Sequence, residues 1–146
     1  GGTKNGLLFG EAVIFLSSEA APDYKFYRKQ NMQLASKMRF ISAQFCALLE
    51  GNLWQRNAEH ANSMAKVLAN RIKSIPGIRI IQKTEANAVF VRIPVQVIPE
   101  LKEACFFYDW NIDLGEIRLM TSFDTTLEDI DLFGDVLEQK LKILNE

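Results

Sequence analysis

Apolar residues recur every three or four positions in three stretches of the chain and at every second position in two others, which sets the expected elements. Met38, Ile41, Phe45 and Leu48 form the first helical stripe. The segment before it is polar, and one long helix is expected from Ala21-Pro22 to Leu49, with Gly51 as its stop. Asn52 is a plausible N-cap for a second helix whose face is Ala61, Met64, Ala65, Leu68 and Ile72, ended by Pro76-Gly77. A third stripe, Ile130, Phe133, Leu137, Leu141 and Leu144, follows a Thr125-x-x-Glu128 capping box. Glu11 to Leu16 is a largely apolar run of strand length, expected as a buried strand closed by Ser17 and Ser18. Gly77 to Gln82 is a second strand candidate, and Ala88 to Ile93 alternates cleanly. Pro99 suits the first turn of a short helix carrying Leu101, Cys105 and Tyr108. From Glu116 to Phe123, Ile117, Leu119, Thr121 and Phe123 point one way, while Arg118, Met120 and Ser122 point the other.

After the first strand the expected order is helix, helix, strand, strand, helix, strand, helix. That favours an α+β fold with helices on one face of a small, largely antiparallel sheet. The internal boundary is expected at Glu50-Gly51-Asn52, dividing residues 1–50 from residues 51–146. The first piece, with one strand, one loop and one helix, cannot close a core.

Composition narrows the classes. The 146 residues carry 17 basic and 18 acidic side chains and are 48% apolar and 24% charged, which excludes a disordered tail and a basic nucleic-acid module. No apolar run reaches the length of a membrane span. Cys46 and Cys105 form no CxxC motif and suit a reducing cytoplasm, and with His60 as the single histidine no zinc site is expected. The chain opens Gly1-Gly2-Thr3-Lys4-Asn5-Gly6, without an initiator methionine or signal-peptide pattern, so its start is either an artificial junction or lies inside a longer protein.

Candidate chemistry centres on three cations. Lys4 lies in glycine-rich backbone that lets a flat ligand approach, as a Schiff-base lysine needs; the alternative is an exposed lysine in a terminal loop. The spacing matches neither GxxxxGK[ST] nor GxGxxG, which argues against a nucleotide loop. Arg118 lies on the non-core face of its strand, where it either forks onto a carboxylate or covers an edge. Arg39 has no acidic neighbour three or four residues away, and Lys29 and Lys37 add charge nearby, so this region either binds an anion or is a solvated helix face. His60, one position off its helix stripe, reads as a structural histidine rather than a general base.

Gly1 to Gly6 followed by Glu11-Ala12-Val13-Ile14-Phe15 resembles the bacterial low-specificity L-threonine aldolases of the aromatic amino acid β-eliminating lyase/threonine aldolase family. The likeness continues at Arg28-Lys29-Gln30, Lys37-Met38-Arg39-Phe40, Ala43-Gln44, Asn87 to Val91 and Ile117 to Asp124. Many members of that family carry Ser-Lys-Gly where this chain has Thr3-Lys4-Asn5. The resemblance implies a fold-type I enzyme dependent on pyridoxal 5′-phosphate, present here as its C-terminal part: the end of the large domain in residues 1–50 and the small domain in residues 51–146. It implies that Lys4 forms the internal aldimine, that Arg39 lies near the cofactor phosphate together with Lys29, and that Arg118 binds the substrate α-carboxylate. The intact enzyme is then expected to be a cytoplasmic homo-oligomer, a dimer or tetramer, cleaving L-threonine and related β-hydroxy-α-amino acids to glycine and an aldehyde.

The first half of the family's sequence, with the partner of the pyridine nitrogen and the ring-stacking residue, has no counterpart in this chain, so the chain alone is expected to be inactive. Two alternatives stand beside this reading: another fold-type I activity, such as β-elimination or transamination, and a non-catalytic α+β oligomerisation domain.

Overall fold

The structure is a computed structural model that describes residues 1–17, 19 and 22–144. It divides into two compact units, Gly1–Trp54 and Gln55–Glu146.

In the first unit a 3-10 turn at Thr3–Asn5 is followed by helices α1 (Tyr24–Gln30) and α2 (Arg39–Leu49). The apolar run from Glu11 to Leu16 forms no strand. Its side chains are exposed, Ile14 by 80% and Leu16 by 99%. A strand needs a neighbour to satisfy its backbone groups, and no described residue of this unit forms a ladder beside it. Of the turn expected after it, Ser18 and Ala21 lie outside the described residues.

The single long helix expected up to Leu49 is two. Asn31 caps α1, its side-chain amide donating to the Tyr27 carbonyl at 2.8 Å. Met32 and Lys37 then take positive φ values of 55° and 60°, incompatible with a continuous helix. The polar segment between them has no apolar stripe to hold helical turns against a core.

The second unit is an antiparallel sheet under helices. Helix α3 (Leu53–Ile72) leads to β1 (Arg79–Ile80) and β2 (Ala88–Arg92); α4 (Ile98–Ala104), β3 (Tyr108–Asn111), β4 (Glu116–Met120) and α5 (Leu127–Leu144) follow. The strand order is β1-β2-β4-β3. Ala65, Leu68 and Ile72 of α3, Leu101 of α4, and Ile130, Leu137 and Leu141 of α5 form one core with Val89, Val91, Ile117 and Leu119. The α+β arrangement, with helices on one face of the sheet, is as expected from the sequence.

Three local expectations change. The short helix ends at Ala104, and Tyr108 begins β3, an edge strand whose four residues are all exposed and so carry no readable alternation. The capping box is one residue later than its sequence pattern. Thr126 Oγ1 accepts from the Asp129 amide at 3.1 Å, and Asp129 Oδ2 accepts from the Thr126 amide at 2.8 Å. Phe123 and Leu144, the outermost members of their stripes, are exposed because the sheet and the core end before them.

Candidate functional site

Lys4 sits in a loop shaped by close backbone packing. The Gly2 amide donates to the Gly10 carbonyl at 3.0 Å, and the Asn5 and Leu7 amides both donate to the Gly2 carbonyl at 3.0 Å. A Cβ on Gly2 would come within 2.2 Å of Leu7 Cδ1, so only glycine allows the loop to fold over its buried leucine. Gly6, at φ 102°, ends the 3-10 turn that carries Lys4.

Helix α2 holds this loop. Gln44 Oε1 accepts from the Leu8 amide at 3.0 Å and the Phe9 amide at 3.3 Å, while its Nε2 donates to the Phe40 carbonyl at 3.3 Å. The Asn5 side chain donates to the Trp54 carbonyl at 3.1 Å. The Lys4 side chain itself is exposed, and no described residue bonds or pairs with its amine. Gln44 was not singled out from the sequence as a site residue; its signal is a glutamine one position off the Ile41/Phe45 stripe.

Arg39 opens α2 and is exposed, its guanidinium 5.0 Å from the Phe40 ring centre. Lys29, at the end of α1, is exposed as well. No described contact joins Lys4, Lys29 and Arg39 to one another or to a carboxylate. Arg28, next to Lys29, is the half-buried cation of α1, and its Nε is buried without a partner.

Arg118 belongs to the second unit, on the sheet face turned away from the helices. In the strand register it lies between Phe90 of β2 and Tyr108 of β3. Its guanidinium carbon is 4.9 Å from the Tyr108 ring centre and 5.8 Å from that of Trp110. Its Nε is buried without an acceptor, and no described carboxylate pairs with it. Arg92 on the same face is neutralised by Glu116 at 2.6 Å.

His60 Nε2 donates to the Thr125 carbonyl at 2.8 Å, a structural bond between α3 and the approach to α5. Burial pushes the Cys105 thiol up. Among the described residues no group of histidine, cysteine, aspartate and glutamate side chains could hold a metal ion, and no helix is long and apolar enough to cross a membrane.

No family model matches the chain. Its fold is found in a PLP-dependent aminotransferase from Streptococcus suis, with a TM-score of 0.63 and 19% identity over 84% of this chain and 34% of that one. A threonine aldolase from Leishmania major gives a TM-score of 0.67 and 27% identity over 81% of this chain and 35% of that one. The mixed helix-and-sheet fold is therefore one found within fold-type I pyridoxal phosphate-dependent enzymes and is consistent with their small domain. In sequence the chain is similar to the low specificity L-threonine aldolase of Pseudomonas aeruginosa, 39% identical over 128 residues, which are 88% of this chain. The match spans 37% of that relative's length. The resemblance read from the sequence motifs is borne out.

Proposed function

We propose that this chain is the C-terminal part of a pyridoxal phosphate-dependent L-threonine aldolase, an aldehyde-lyase that cleaves L-threonine and related β-hydroxy-α-amino acids to glycine and an aldehyde. Residues 1–50 are the end of its large domain, and residues 51–146 are its small domain. The observation that carries this reading is Lys4: an exposed amine without a partner among the described residues, on a loop held by Gln44 and by glycines that admit a close neighbour.

The residues fit the cofactor. Lys4 offers an exposed amine for the covalent link, and Arg39 and Lys29 offer exposed cations, paired with no described carboxylate, for a phosphate dianion. When bound, pyridoxal phosphate supplies an electron sink for the pair released as the Cα–Cβ bond breaks. Arg118 takes the substrate α-carboxylate through its terminal N–H groups. That contact fixes the amino acid's orientation, so that binding energy at one end of the substrate is used at the other. His60 is not assigned as the base for the β-hydroxyl proton, because its Nε2 proton is committed to the Thr125 carbonyl. The intact protein is a cytoplasmic homo-oligomer, and this chain alone turns over no amino acid because most of the cofactor site lies elsewhere in the protein.

The test uses the intact protein loaded with pyridoxal phosphate. Borohydride reduction followed by peptide mapping places the label on Lys4, and L-threonine yields glycine and acetaldehyde in equal amounts. A label on any other residue removes the role of Lys4. Ammonia with 2-oxobutanoate would make the enzyme an eliminating lyase instead.

A further inference from the structure

The sheet face that carries Arg118 holds three aromatic side chains, and their arrangement follows from the strand register. Phe90 and Tyr108 are the direct cross-strand neighbours of Arg118 on its two sides. Next to them the β3–β4 ladder breaks. Asp109 pairs with Ile117 and Asn111 with Glu116, so Trp110 is the extra residue of a β-bulge. Bulges re-aim side chains and occur often beside active sites. Here the bulge brings the Trp110 ring edge-to-face with Phe90 at 4.9 Å and 73°, and 5.8 Å from the Arg118 guanidinium.

We infer that Tyr108 and Trp110 are positioning residues for the guanidinium of Arg118, holding it ready for the substrate carboxylate; the inference rests on the carboxylate role proposed above.

The two arginines of this face show what the rings achieve. Arg92 donates from a terminal nitrogen to Glu116 at 2.6 Å, which pairs its charge and occupies that end of its fork, while its Nε, like that of Arg118, is buried without an acceptor. Arg118 meets aromatic faces, which attract a cation without accepting its in-plane N–H bonds. Its inner nitrogen is buried, and no described residue accepts a bond from the terminal nitrogens. An arginine held this way keeps its charge and its N–H fork for a ligand while losing the rotamer freedom that binding would otherwise have to remove.

The test is made in the intact, cofactor-loaded enzyme with Tyr108→Leu, Trp110→Leu, Tyr108→Phe, Trp110→Phe and Arg118→Lys. Leucine keeps apolar cover but removes the π face, whereas phenylalanine keeps both. Two measurements are compared: the dissociation constant of glycine by calorimetry, and kcat and KM for L-threonine. Each leucine variant should raise the glycine Kd and the threonine KM about tenfold, with kcat within about twofold of the parent. The phenylalanine variants should return both constants to within about threefold of the parent.

Tyr108 and Trp110 are about half exposed, at 48% and 53%, so these substitutions spare the core. Should a leucine variant not fold, the phenylalanine variants decide: a Kd raised beyond that range would overturn the inference. Unchanged constants in the leucine variants, with a raised KM in Arg118→Lys, overturn the inference and leave the carboxylate role standing. Unchanged constants in Arg118→Lys overturn the carboxylate role itself. A fall in kcat at constant KM also sinks the positioning role, since it would report chemistry rather than carboxylate capture.

Discussion

The Thr121 hydroxyl donates to the Ala61 carbonyl at 2.7 Å and lies 3.3 Å from the Asn87 carbonyl, joining the end of β4 to helix α3. Thr121 is 2% exposed, so its hydroxyl has no access to water in place of these partners. Thr121→Val keeps the shape and removes the donor. It should lower the unfolding free energy by about 1 kcal/mol, read from denaturant midpoints at an unchanged m-value. A variant as stable as the parent would show that the bond contributes nothing net.

The cap of α5 makes stability depend on pH. The backbone and side-chain hydrogen bonds from Thr126 hold the Asp129 carboxyl below its ordinary range. A carboxyl with a lowered folded pKa binds fewer protons folded than unfolded. Its contribution is therefore fully present above the unfolded value of about 3.9 and is lost as pH falls through the lowered folded value. Asp129→Asn should flatten this part of the stability profile below about pH 4, and an unaltered acid limb would refute it. Thr126→Ala removes the cap hydroxyl and should cost about 1 kcal/mol at neutral pH.

Gly115 closes the β3–β4 connection at φ 69°, and its carbonyl accepts from the Ile93 amide at 2.9 Å. A Cβ there would lie 2.1 Å from the Ile93 carbonyl oxygen, a backbone atom that cannot swing aside. Gly115→Ala should therefore cost about 2 kcal/mol or more, visible as a lowered Tm. Gly51 also has a positive φ, 68°, but nothing lies within 4 Å of its virtual Cβ, so Gly51→Ala should be milder.

Arg71 of α3 reaches three carboxylates on α5: Glu138 at 2.8 Å, Asp135 at 2.6 Å and Asp131 at 3.9 Å. Its hydrogen bond to Glu138, and then that to Asp135, raise its pKa further above the ordinary arginine value. Gly134 leaves room for it, since a Cβ there would sit 2.7 Å from the guanidinium carbon. The carboxylates are largely solvated, so the network is screened by salt. Arg71→Met should cost about 1 kcal/mol at low ionic strength and less in molar salt. Equal losses in both would assign the effect to packing of the side-chain stem.

The segment from Leu8 to Leu16 exposes Leu8, Phe9, Val13, Ile14 and Leu16 together. Exposed apolar surface of this kind drives association. Sedimentation of this chain should report concentration-dependent self-association, reduced by the double variant Ile14→Lys and Leu16→Lys. A monomer at all concentrations would count against it.

Periodicity determined the parts of this protein whose environment is local or one-sided. The faces of α3 and α5, the alternation of β2 and β4, and the α+β class are written in spacings of two and of three to four, because one face of each element meets a core. The loop glycines around Lys4 and the non-core position of Arg118 were legible for the same reason. Tertiary structure decided the rest. Whether Glu11 to Leu16 becomes a strand depends on a neighbour that its own residues do not encode. The break between α1 and α2 depends on two residues in left-handed backbone. β3 owes its existence to pairing with β4, since its exposed residues carry no pattern. The cage around Arg118 comes from strand register and a bulge, and both are fixed by hydrogen bonding between segments distant in sequence.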